Sequence, residues 1–164
     1  MNGDMMKKRI FLFSMLFVFI DQIIKYLISS NVSLHESINV IPNFLSITHV
    51  NNDGAAFSML SGGRWLFVAI GVISLILLIR FILLDTKISK FDCLSYSLVL
   101  SGIVGNLIDR VVYGFVIDYI DFNVFGYDMA IFNFADMCIV VGVLMIIFIL
   151  VIKGDSDEIV YSRK

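Results

Sequence analysis

The sequence predicts an all-α membrane protein: four transmembrane helices with a small extracytoplasmic β-sheet and loop region. Hydrophobic residues fill 59% of the 164 positions and charged residues only 16%, whereas soluble domains are about 45–50% apolar. Mean hydropathy is +0.95. Four stretches are long enough to cross a hydrocarbon core, which takes about 20 helical residues for about 30 Å. At 18.5 kDa a single membrane domain over residues 1–153 fits, followed by a polar cytoplasmic tail over 154–164.

The first span runs from Ile10 to Ile28. Lys7, Lys8 and Arg9 before it resemble the start of a cleavable signal, but no small-residue cleavage site follows and three more spans do, so it reads as a retained helix. The others run from Trp65 to Leu84, Cys93 to Val112 and Phe132 to Ile152. Nine basic residues (Lys7, Lys8, Arg9, Arg80, Lys87, Lys90, Lys153, Arg163, Lys164) fall on one side and three (Lys25, Arg64, Arg110) on the other. The positive-inside rule then puts both termini in the cytoplasm. Two long external segments remain, Ser29 to Arg64 and Tyr113 to Ile131. Ile38 to Val50, interrupted at Pro42, reads as one or two short strands, and Val116 to Val124 alternates in the same way. The two segments are expected to pair into a small sheet resting on the membrane.

Composition excludes several functions. A net charge of −2 without a dense basic patch offers nothing to a nucleic-acid backbone. Cys93 and Cys138 lie in apolar runs without CxxC or Cys/His spacing, which makes them core residues and not a disulfide or a metal site. His35 and His49 stand 14 apart without HExxH. Neither GxSxG nor SxxK occurs, and a serine triad would need a histidine that the spans lack.

Aspartate remains. Ionisable residues in a span are costly, face the bundle interior and mark function. At 1.5 Å per residue, Asp21 stands about 18 Å and Lys25 about 24 Å above Arg9, Asp109 about 26 Å above Asp92, and Asp136 about 6 Å below the outer end of the fourth span. Asp118 follows on the chain just leaving the third span. Four carboxylates thus share one depth near the outer face, and the inner half of the spans has no comparable cluster. Two carboxylates held close share a proton, so that one activates water while the other donates to a carbonyl, which hydrolyses an amide without metal or cofactor.

Each residue also has a structural reading. Asp21 and Lys25, four apart, form an ion pair on one helix face or take part in chemistry. Asn106, Asp109 and Arg110 either hold the helix end or point Arg110 at a ligand. Asp136 at a helix start is favoured by the dipole alone. Asp118, Asp121 and Asp128 can equally be solvated loop carboxylates.

Five ordered blocks narrow this choice. Asp21-Gln22-Ile23-Ile24-Lys25 resembles a DQxxK element, Asn52-Asp53-Gly54-Ala55-Ala56-Phe57 an NxGAAF element, and Gly105-Asn106-Leu107-Ile108-Asp109-Arg110 is GNLIDR. Val116-Ile117-Asp118-Tyr119 stands where VxDF is usual, and Phe132-Asn133-Phe134-Ala135-Asp136 fits FNxAD. Over nearly its whole length the chain resembles the lipoprotein signal peptidase (signal peptidase II) family. The GxGD element of other membrane aspartyl proteases is absent.

The resemblance implies an intramembrane aspartyl endopeptidase with Asp118 and Asp136 as the catalytic pair. Asn52, Gly54 and Arg110 would contact the substrate backbone, Asn106 and Asn133 would hydrogen-bond around the dyad on the substrate-binding side, and Asp21, Lys25 and Asp109 would give structural support. Tyr119 departs from the family's phenylalanine by a hydroxyl. The implied substrate is a lipidated prolipoprotein, cut on the N-terminal side of its diacylglyceryl cysteine at the outer face of a bacterial cytoplasmic membrane. Membrane lipid is the surrounding partner, no cofactor, metal or nucleic acid is called for, and a monomer suffices. Two other readings stay open: a proton-coupled transporter relaying through Asp21, Lys25 and Asp109, and a non-catalytic assembly factor.

Overall fold

A computed structural model of the protein describes residues 3–55 and 59–161, with side chains described as far as residue 151. Four helices carry the apolar runs: α1 (Gly3–Asn31), α2 (Arg64–Leu84), α3 (Lys90–Val112) and α4 (Phe134–Tyr161). All four are long and apolar enough to cross a membrane. The protein is therefore a multi-pass membrane protein. Helix α4 continues past Gly154, where the sequence reading begins a tail, and residues 162–164 lie outside the described residues.

Only α3 has most of its span buried, whereas α2 has Ile82 as its one fully buried residue. Helix α3 is thus the axis on which the other three pack. Close approach follows from small residues: a side chain at Gly102 would run into the Ala135 carbonyl of α4, and one at Gly105 would lie 2.6 Å from the Asp21 carboxylate of α1. Ser89 and Asp92 start α3 with a reciprocal capping box.

The external segments pair as expected. Strands β1 (Ser37–Ile41), β2 (Leu45–Asn52), β3 (Val116–Val124) and β4 (Tyr127–Asp128) form one antiparallel sheet in chain order. Pro42 and Asn43 turn β1 into β2, with Asn43 at φ 60 and the Phe44 N–H bonded to the Ile41 carbonyl at 3.1 Å. Strand β3 is buried on both faces over Val116, Ile117, Asp118 and Tyr119 because it enters between the helix ends, which explains why its apolar residues do not alternate cleanly. Phe132, at an expected span boundary, instead pairs with Ile120 and stacks on Phe122, and α4 begins two residues later. Trp65, Tyr26 and Tyr113 stand exposed at the sheet end of their helices.

At the opposite end, Met6, Ile10, Ile82, Cys93, Tyr96 and Leu100 form an apolar core. Both cysteines are buried and free. That end is less uniformly apolar than the sequence reading expects, for Ser14, Ser95, Ser97 and Asp92 are buried there as well.

Candidate active site

The sheet end gathers ten residues singled out in the sequence. Asp21, Lys25 and Asp109 form a buried ion triad, with Lys25 Nζ 2.9 Å from Asp21 and 2.8 Å from Asp109. Each carboxylate also reaches another element. Asp21 accepts the Ala135 N–H at 3.1 Å and so anchors the first turn of α4. Asp109 accepts the Ile117 N–H at 3.3 Å, fixing the start of β3. Gln22 donates to Asp109 at 2.9 Å and to Asp21 at 3.2 Å. The Asp21–Lys25 pair is therefore one side of a four-element junction of α1, α3, α4 and β3 and not an isolated helix pair.

This junction places Asp118 and Asp136. Asp118, on β3, is 3% exposed and accepts from Asn52 Nδ2 at 2.8 Å and Asn133 Nδ2 at 2.7 Å. Asp136, half-buried in the first turn of α4, accepts from Asn106 Nδ2 at 2.6 Å and from the Asn133 N–H at 3.2 Å. Burial, reinforced by the Asp136 charge, pushes the Asp118 carboxyl up to about 6 against the pull of its two amide donors. Both aspartates line one cavity of about 700 Å³, together with Asn52, Asn106 and Arg110. Its wall continues over Val124, Met129, Val140 and Val141, so a polar floor opens into an apolar groove. The cavity thus sets two carboxyls beside an apolar surface.

Asn52, at the end of β2, accepts the Gly54 N–H at 3.0 Å, which bends the chain over the cavity. The Gly54 carbonyl accepts from Arg110 Nη2 at 3.1 Å. Arg110 also lies over the Phe67 ring, 5.1 Å from its centroid. The guanidinium thus lines the cavity while bracing the loop after β2. Ala56 and Phe57 of that loop lie outside the described residues.

Sequence reasoning missed three contributors. Gln22 sits inside a quoted motif, so its position was visible and its role was not. Arg64 donates to the Arg110 carbonyl at 2.9 Å and the Val111 carbonyl at 2.8 Å, closing the C-terminus of α3. No local signal links it to residues 46 positions away. The Tyr119 hydroxyl accepts the Phe134 N–H at 3.1 Å, so this departure from the family pattern caps α4. Asp121 and Asp128 point elsewhere, bonded to Thr48 and Asn123 on the sheet.

A four-span bundle that sets two aspartates in an amide-lined cavity beside an apolar groove has the parts of a membrane-embedded aspartic peptidase. The family model described as Signal peptidase (SPase) II matches residues 13–152. A lipoprotein signal peptidase of Staphylococcus haemolyticus is 43% identical over 139 residues, covering 85% of this chain and 88% of that protein. One from Staphylococcus aureus is 43% identical over 141 residues, or 86% of each. A solved structure described as a bacterial membrane enzyme superposes with a TM-score of 0.83 at 41% identity, covering 90% of both chains. A second so described gives 0.78 at 42% identity, covering 86% of this chain and 91% of that one. The chain belongs to the signal peptidase II family, which leaves the transporter reading without support.

Proposed function

We propose that the protein removes signal peptides from diacylglyceryl-modified prolipoproteins, cutting on the N-terminal side of the lipidated cysteine, with Asp118 and Asp136 as its catalytic pair. The observation that carries this reading is the shared cavity in which each carboxyl is held by two N–H donors. Asp118, the more buried of the two, is the general acid. Asp136, half-buried and lining the same cavity as Arg110, is the general base.

In the first step Asp136 takes a proton from water as the oxygen attacks the scissile carbonyl carbon, and Asp118 donates its proton to the carbonyl oxygen. A neutral gem-diol results. In the second step Asp136 passes its proton to the amide nitrogen, the C–N bond breaks, and Asp118 recovers a proton from a diol hydroxyl. The products are the signal peptide's new carboxyl terminus and the free amine of the lipidated cysteine. Both carboxyls end as they began, so no step calls on a cofactor.

The apolar groove beside the dyad suits an acylated, membrane-held substrate. Asn52, Gly54 and Arg110 border the cavity where the extended chain would pass. Lys7, Arg9, Arg80, Lys87 and Lys90 at the far end from the sheet favour cytoplasmic termini and a site at the outer face. The described site residues all lie on one chain. Replacing either aspartate by asparagine is expected to lower cleavage of a lipidated precursor peptide at least about 100-fold. Processing at the normal rate by Asp118→Asn or Asp136→Asn would refute the dyad and favour a non-catalytic assembly role.

A further inference from the structure

Three asparagine amides donate to the two aspartates, and an amide works as a donor only if its NH2 end faces the carboxyl. A reversed amide would set oxygen against oxygen. For Asn52 and Asn133 the orientation is fixed by main chain: Asn52 Oδ1 accepts the Gly54 N–H at 3.0 Å, and Asn133 Oδ1 accepts the Asp136 N–H at 3.0 Å. A backbone N–H only donates, so each amide has one admissible orientation. Among the described residues, Asn106 has no such backbone donor on its oxygen. Its Oδ1 is met instead by Lys25 Nζ at 3.1 Å, with Asn133 Nδ2 at 3.3 Å as a longer second contact.

We infer that Lys25 is a positioning residue for the reaction: its ammonium holds the Asn106 amide with Nδ2 turned to Asp136. An ammonium carries three donors and no acceptor, so it cannot tolerate the reversed amide. Lys25 is 1% exposed, and its two remaining directions are taken by Asp21 and Asp109, which hold Nζ in place. The chain Lys25–Asn106–Asp136 thus carries the geometry of α1 to a carboxyl on α4 through one side chain of α3. This role goes beyond bracing the helices and rests on the dyad reading above.

Lys25→Met alone leaves two buried carboxylates without a cation, so the test is made in an Asp109→Asn background, where the variant lacking Lys25 carries the same net cluster charge of −1 as the unsubstituted protein and leaves one carboxylate, Asp21, unpaired. Folding is followed by thermal unfolding in detergent micelles, and kcat and KM are measured with a synthetic precursor peptide bearing a diacylglyceryl cysteine. Relative to Asp109→Asn, adding Lys25→Met is expected to lower kcat at least about tenfold with KM within about twofold, an effect confined to the chemical step. Adding Asn106→Leu lowers kcat by as much or more. The variant with both changes is no slower than the one with Asn106→Leu, because coupled residues are not additive.

Multiplying losses, a kcat unchanged by Lys25→Met, or failure of the Lys25 variant to fold where Asp109→Asn folds each overturn the inference. The last outcome assigns Lys25 to folding alone. If Asp118→Asn and Asp136→Asn are inactive while the Lys25 variant keeps its rate, the dyad stands and only the Lys25 role falls. Active dyad variants remove both.

Discussion

The two ends of the helix bundle handle buried polar groups differently. Away from the sheet the recurring device is a hydroxyl returned to a helix carbonyl: Ser14 donates to Ile10, and Ser97 to Cys93 at 2.6 Å and Ile10 at 3.3 Å. Around them Met6, Ile10, Ile82 and Leu100 fill the space. At the sheet end the buried groups are charges and amides, and their partners lie on other elements: Asp21 reaches α4, Asp109 reaches β3, and Asn133 reaches Asp118. These hydroxyls bond most closely to their own helix, and only longer contacts cross between α1 and α3, Ser97 to Ile10 at 3.3 Å and Ser14 to the Ser97 carbonyl at 3.2 Å. A buried carboxylate that needs N–H donors from two or three elements fixes those elements relative to one another, which a hydrolytic site requires.

This contrast can be broken experimentally. The largest loss of stability is expected from Asp21→Ala, about 3–5 kcal/mol, because Lys25 loses a buried partner and α4 loses an anchor. Activity should fall with it, measured as cleavage per folded molecule. Ile82→Ala, at 0% exposure, should cost about 2–4 kcal/mol by opening a cavity, while cleavage per folded molecule stays unchanged. A matching fall in specific activity would show that the two ends are not independent.

A smaller effect concerns pH. The folded-state value of Asp118 is raised to about 6 from 3.8, so the fold binds this proton more tightly than the unfolded chain does. Its stabilising contribution is complete below about 3.8 and is lost as pH rises through about 6. Thermal unfolding across pH 3–8 should show this component in the unsubstituted protein and not in Asp118→Asn. Tyr119→Phe removes only the hydroxyl that caps α4 and should cost about 1 kcal/mol with cleavage retained. Smallest is Ser97→Ala, roughly 0.6 kcal/mol, the mean for hydrogen bonds between membrane helices, again without effect on cleavage.

Much of this was legible beforehand. The spans follow from apolar length, and the helices extend them by a few residues into polar flanks such as Gly3–Arg9 and Ser29–Asn31, where helix continues but hydropathy does not. The sheet was readable from β-rich runs on both sides of the bundle, and its register was not. That register sets Val50 opposite Asp118 and Asn52 opposite Val116, which brings the Asn52 amide to the Asp118 carboxyl. Depth counting brought Asp21, Lys25, Asp109, Asp118 and Asp136 to one level because helical rise is constant. Rotation about each helix axis is set by packing, so which carboxylate meets which amide was not available. The hydroxyl of Tyr119 was seen as a difference, and its partner at Phe134 was not.

The sequence by itself determined the solvent of this protein, the number of its spans and the level at which its carboxylates gather, because apolar length and rise per residue are local quantities. Only the tertiary structure decided that Asp21 and Asp109 brace other elements while Asp118 and Asp136 face one cavity. All four are aspartates at similar depth. What separates them is the set of donors that packing around Gly102 and Gly105 brings within 3.3 Å, and those donors come from residues up to 114 positions away.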